Sequence, residues 1–219
     1  MLKLAAAAVI AGLVSMGGWA VVTVKDLPEY FVAGQQYTLE FQVRQHGRTL
    51  LSGLRPELVI APPAAREVVI PAVARSAAGA YAVTFTAPAA GDVRLTIRSG
   101  FGNNELRLYP QTVVAAGGSR PALPARDRGQ MLFVAKGCNT CHANSDLTDR
   151  PENQVITVGP ELGGRHLARE YVIQKMKNPS SQVMPDLGLS DADVAALAVF
   201  LSGDRAAASG GRGRGRGSR

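Results

Sequence analysis

Cys138-Asn139-Thr140-Cys141-His142 holds both cysteines of this 219-residue chain. Two thiols separated by two residues can form a redox disulfide. Such dithiol motifs, however, open a helix after a strand in a βαβ setting, and no such setting surrounds this one. A histidine directly after the second cysteine is instead the pattern of covalent haem attachment. Cys138 and Cys141 would add to the two haem vinyl groups as thioethers, and the short spacing would deliver the His142 imidazole to the iron.

Outward from this stretch the periodicity is helical. Gly129, Leu132, Phe133 and Lys136 form a short amphipathic helix leading into the cysteines. Arg169–Lys177 predicts a second helix, with Tyr171, Val172 and Met176 available for packing. It ends before Asn178-Pro179, because proline disfavours a helical residue ahead of it. Ser190 predicts the N-cap of a third helix, with Asp191 and Asp193 in the first turn, where the helix dipole favours negative charge. Val194, Leu197, Ala198 and Leu201 follow along one face, and Gly203 closes it.

Between the last two helices lies Asn178-Pro179-Ser180-Ser181-Gln182-Val183-Met184-Pro185-Asp186-Leu187-Gly188-Leu189. Pro179 and Pro185 stiffen it into a strap that can present the Met184 sulfur opposite His142. Thioether ligation stabilises ferrous iron and raises the potential relative to two imidazoles. The other candidates read differently. Met176 and Met131 sit within helices and suit packing. His46 lies beside Gly47 in a hairpin turn, and His166 suits a surface loop or a haem propionate contact.

Gly129, Phe133, Cys138–His142, Gly159-Pro160-Glu161-Leu162, Asn178-Pro179, Met184-Pro185 and the closing helix Leu197–Leu201 occur in a characteristic order. In that order the segment resembles a class I mono-haem cytochrome c domain, over about residues 127–203. The resemblance implies an all-α domain with one covalent haem c and an electron-transfer role without catalytic residues. It implies that Gly129 and Phe133 cross the last helix near Phe200. It also implies that the Pro160 carbonyl accepts the His142 Nδ1–H, the outer bond that orients a ligating histidine. Leu162 and Tyr171 would wall the haem pocket, and His142 and Met184 would ligate the iron.

Upstream, residues 21–115 read as strands by period-two alternation. Tyr37, Leu39, Phe41 and Val43 share one face, and Ala80–Phe85 and Asp92–Arg98 repeat the pattern. Val21–Val24, Glu57–Ile60, Glu67–Ile70 and Leu106–Val114 are further strands. About seven short strands between Gly- and Pro-rich turns predict a β-sandwich. The run Gly79–Pro88 followed by Gly91-Asp92-Val93 resembles bacterial immunoglobulin-like modules, in architecture rather than activity. Residues 116–126 predict a linker, with flexible Gly and Ser followed by stiffer Pro. The haem domain is then expected over 127–204, and the Gly/Arg-rich tail 205–219 is expected to be disordered.

Residues 1–20 suit either a signal peptide, with cleavage favoured after Ala20, or a membrane anchor. Both place the remainder on the periplasmic side of a bacterial membrane. The net charge of +7 is uneven: residues 126–204 hold eight basic and ten acidic residues, while 205–219 hold five arginines and no acid. The basic balance therefore lies outside the haem domain, which argues against a nucleic-acid partner. Redox proteins or a membrane electron-transfer complex are the expected partners, with the N-terminal segment or the basic tail available for membrane association. The alternative is a haem enzyme, or a gas or peroxide sensor, with a labile sixth ligand. The Arg165, Arg169, Lys175 and Lys177 cluster suits either a partner-steering rim or an ordinary solvated face.

Overall fold

The computed structural model describes residues 18–179 and 184–203. The expectations for the start of the chain and for the tail 205–219 lie outside the described residues, apart from the junction at Ala20. Eleven strands come first: β1 (Ala20–Val24), β2 (Phe31–Val32), β3 (Gln36–Gln45), β4 (Thr49–Leu50), β5 (Glu57–Ala61), β6 (Val68–Pro71), β7 (Val73–Ala74), β8 (Ala80–Thr86), β9 (Gly91–Arg98), β10 (Glu105–Arg107) and β11 (Gln111–Val114). Four helices follow: α1 (Ala125–Ala135), α2 (Cys138–Cys141), α3 (Arg169–Lys177) and α4 (Asp191–Ser202).

One sheet runs β1-β3-β8-β7 and the other β2-β11-β9-β5-β6, with β4 on β3 and β10 on β9. Every pairing is antiparallel except that of β2 with β11. This order corresponds to the ABED and CFG sheets of an immunoglobulin-type sandwich, the edge strand crossing between sheets around Leu27-Pro28. Alternation along β3 sends Leu39, Phe41 and Val43 into the interior, where they meet Phe31, Tyr81, Leu95 and Ile97. The buried Tyr81 hydroxyl donates to the Leu51 carbonyl at 2.7 Å and accepts the Leu54 N–H at 3.0 Å, so its polar atom is satisfied. The run read as one strand over 106–114 is two, β10 and β11, with Pro110 between them, since proline lacks the N–H that a ladder needs.

In the helical part, α3 spans the residues the sequence predicts, and Ser190 caps α4 by accepting the Asp193 N–H at 3.1 Å. Helix α1 begins at Ala125, taking in two residues of the expected linker. It crosses α4 at Gly129, where an added Cβ would lie 2.2 Å from the Ala196 carbonyl oxygen and 2.7 Å from Phe200 Cβ. The Phe133 and Phe200 rings meet edge-to-face, with centroids 5.7 Å apart.

The other side of α1 belongs to the sandwich. Val134 and Ala135 are part of its core, and Met131 packs against it. Met131–Ala135 are five consecutive apolar residues, and a helix segment apolar all round must be covered on every side. The two halves therefore share this helix. Among the described residues no helix is long and apolar enough to cross a membrane.

Candidate haem site

Gly137 ends α1 in the left-handed conformation, φ 76°, and turns the chain into the one-turn helix α2. An added Cβ there would lie 2.5 Å from Val21 Cγ1 and 2.7 Å from the Val22 carbonyl oxygen, so only glycine lets the motif press on β1. Cys138 and Cys141, one helical turn apart, are both free thiols. Burial pushes the Cys138 thiol up to about 12, with the neighbouring Cys141 adding to the rise. Burial raises Cys141 as well. Reactive dithiols depend on a lowered pKa, which this environment opposes.

His142 follows in extended conformation, its Nδ1 2.9 Å from the Pro160 carbonyl oxygen. A carbonyl can only accept, so Nδ1 carries the proton and Nε2 keeps a lone pair for a metal. The 156–162 stretch is laid alongside the motif by backbone bonds. The Ile156, Gly159 and Leu162 N–H groups donate to the carbonyls of Thr140, Cys141 and Ala143 at 2.8, 2.9 and 2.9 Å. Glu161 secures the far end, one carboxylate oxygen accepting the N–H groups of Ser145 and Gly163, each at 3.0 Å. At Gly159 an added Cβ would lie 2.4 Å from His142 Cε1, so the ring rests directly on backbone. Beside it a cavity of about 160 Å³ is lined in part by Val134, Asn139, Asn144 and Arg150. Asn139 Oδ1 is buried without a protein partner, so the cavity is polar enough to hold water.

Leu162 packs, half-buried, on the second apolar cluster with Cys138, Met176 and Leu189. Tyr171 is 52% exposed, and Lys175 Nζ lies 5.7 Å from its ring centroid. Met184 and Pro185 are half-buried, while the strap residues 180–183 lie outside the described residues. The other two histidines are placed elsewhere. His46 is in the β3–β4 turn against Trp19, and His166 lies against Gly203 at the end of α4. Arg165 donates to the Glu161 carbonyl at 3.3 Å and Lys177 pairs with Asp191 at 2.6 Å, so two members of the basic cluster are engaged locally. Among the described residues no group of three or more His, Cys, Asp or Glu is placed to hold a metal ion.

Two thiols on one turn, an imidazole with its outer nitrogen tied off, and a glycine that leaves the ring no side chain behind it fit a c-type haem. The sequence pattern described as "Cytochrome C oxidase, cbb3-type, subunit III" matches residues 124–201. This helical domain is a cytochrome c domain. It implies a covalently bound haem c. The match stops at the sandwich.

No curated protein matches the chain. Among solved structures, two variants of a superoxide reductase (neelaredoxin) from Ignicoccus hospitalis align with TM-scores of 0.32 and 0.31 at 18% and 19% identity. Those alignments cover 44% and 42% of this chain and 81% and 79% of the reductases. A β-glucosidase from Listeria innocua in complex with glucose aligns at a TM-score of 0.31 and 13% identity, over 46% of this chain and 16% of the glucosidase.

Three residues outside the motif, Lys136, Thr23 and Arg44, are buried where the sandwich meets the cytochrome c domain, and no spacing argument shows that burial. Lys136 is almost fully buried, its ammonium 2.9 Å from Asp193 Oδ2 of α4 and donating to the Lys25 carbonyl. The Thr23 hydroxyl donates to the Lys136 carbonyl at 3.3 Å, and the buried Arg44 donates to Thr23 Oγ1 at 3.4 Å. One signal for them in the sequence is Val21–Val24, β-branched at every position, as in a strand covered on both faces.

Proposed function

We propose that the chain is an exported c-type cytochrome that carries one electron at a time between redox partners through a haem ligated by His142 and Met184. The matched family description supports service as a subunit of, or carrier to, a membrane electron-transfer complex. The first twenty residues or the basic tail would hold the chain at the periplasmic face of the membrane.

The observation that carries this reading is the 2.9 Å contact of His142 Nδ1 with the Pro160 carbonyl. It fixes the tautomer and aims Nε2 outward from a backbone wall. Cys138 and Cys141 anchor the group, and Leu162 and Tyr171 offer it apolar and aromatic surface. Pro185 stiffens the chain beside the Met184 thioether. When bound, the haem supplies a one-electron ferric/ferrous couple. A sixth position closed by protein limits its chemistry to that couple, because reactions with oxygen, peroxide or carbon monoxide need an open one.

Met184→Ala in the haem-loaded protein tests the assignment. The long-wavelength sulfur-to-iron absorption band of the ferric protein should vanish, ferrous haem should gain carbon monoxide binding, and the reduction potential should fall. A parent protein that lacks the band and binds carbon monoxide readily would overturn this reading in favour of a haem enzyme or sensor with a labile sixth ligand.

A further inference from the structure

The outward face of the β1–β3 pair carries Thr23, Gln42 and Arg44 beside Val21, yet it is covered. Thr23 of β1 and Arg44 of β3 project from it and are buried, at 4% and 7% exposure. Arg44 reaches three acceptors on separate segments. Its Nη2 donates to Gln42 Oε1 at 2.6 Å and to the Asp186 carbonyl at 3.4 Å, and its Nη1 donates to Thr23 Oγ1 at 3.4 Å. The Thr23 hydroxyl in turn donates to the carbonyl of Lys136, the residue before Gly137 and the haem-attachment turn. Leu187 and Gly188 line a groove on the same sheet with Thr23, Lys25 and Gln42. Asp186 shapes its own segment, its Oδ1 accepting the Gly188 N–H at 2.8 Å.

We infer that Arg44, a residue of the β-sandwich, is a positioning residue for the sixth haem ligand: it holds the Met184-bearing strap at Asp186 and ties it through Thr23 to the haem-attachment turn. The inference rests on Met184 being that ligand. A buried guanidinium is costly unless its donors are satisfied. Releasing the strap would withdraw one of its three acceptors. The planar fork of arginine serves acceptors on different segments at once, which the point charge of lysine cannot do. Fixing the chain two residues from Met184 also removes conformational freedom that the thioether would otherwise lose on each return to the iron. The sandwich is thereby part of the haem site, setting the distance between its two sides.

The test compares Arg44→Gln with Arg128→Gln in the full, haem-loaded chain. Arg128 is a second interface arginine, donating to the Leu27 carbonyl at 2.5 Å and bonded to no strap residue among the described residues, so it controls for loss of a buried cation. Arg44→Gln should retain covalent haem and sandwich structure while carbon monoxide association with ferrous haem rises about tenfold, the worth of one hydrogen bond to a charged group. Its sulfur-to-iron band should also weaken, whereas Arg128→Gln should match the parent in both measurements. Arg44→Lys should fall between parent and Gln variant, and it supplies the readout should Arg44→Gln fail to accumulate. Parent protein without the sulfur-to-iron band overturns the Met184 assignment and the inference with it. Parent with the band, and Arg44 variants indistinguishable from Arg128→Gln, overturns the inference alone.

Discussion

The β-sandwich closes its interior with Phe31, Phe41, Tyr81, Leu95, Ile97 and many smaller residues, whereas among the described residues the helical domain buries a shorter set, Leu132, Phe133, Val172, Val194, Ala196, Leu197, Ala198 and Phe200. The first is a complete core for about a hundred residues. The second is the α1–α4 crossing with α3 laid against α4, a small apolar surface on which to fix the loops of a domain unaided. The difference assigns two further walls to the cytochrome c domain, the haem on one side and the sandwich on the other. Replacing Cys138 and Cys141 together with serine removes the covalent anchor and probes the first wall. Amide exchange should then become fast through residues 143–168 and α3 while β3, β8 and β9 stay protected. Equal loss of protection in both halves would show that the sandwich depends on the haem as well, and would dissolve the contrast.

The second wall is probed at Lys136, whose ammonium is sealed between β1 and α4 against Asp193. Removing one partner of a buried pair leaves the other uncompensated, and that costs more than the pair itself contributes. Lys136→Met should therefore destabilise the protein by about 3 kcal/mol, the lower end of the range for buried pairs, because Asp193 keeps some contact with water. Chemical denaturation should also separate into two transitions, helical domain first. An unchanged single midpoint would mean that the Lys136 pair is not what couples the two halves.

What the sequence discloses about this arrangement follows the range of the interactions. Alternation in β3 and β8, the limits of α3 and the Ser190 cap are local, and all are legible. The two-residue strands β2, β4 and β7 are too short to show a period and exist only through their neighbours. Cys138, Cys141 and His142 announce themselves by spacing. The approach of Pro160 to His142, eighteen residues away, has no spacing signal and enters only through resemblance to a known domain. Arg44 and Lys136 read as ordinary charged residues, the one at a strand end and the other at a helix end. Their burial is decided by the docking of the two halves, which no local pattern encodes. The run Met131–Ala135 is the nearest thing to a warning, since a helix facing one partner needs no apolar residue on its back.

A further tie between the halves titrates at high pH. The Tyr109 hydroxyl, from the segment between β10 and β11, donates to the Thr148 carbonyl of the haem-domain loop at 2.9 Å. Burial pushes this phenol up to about 12; the Asp149 charge adds to the rise and Arg150 opposes it. The folded protein thus holds the phenolic proton more tightly than the unfolded chain, whose tyrosine titrates near 10. The stabilisation is complete below that value and is lost as pH rises through about 12. The acceptor has a second donor, Gln130 Nε2 at 3.2 Å, so removing the hydroxyl leaves no orphaned carbonyl. Tyr109→Phe should therefore cost only about 0.5 kcal/mol at neutral pH. The variant should, however, lose the part of the alkaline decline that this proton accounts for. Denaturation midpoints from neutral pH upward would show parent and variant converging above the ordinary tyrosine range. Curves that stay parallel would mean that the loop is held without Tyr109, by the Arg107 bonds to Glu152 and Asn153 together with α1 and the buried Lys136 and Arg44 contacts.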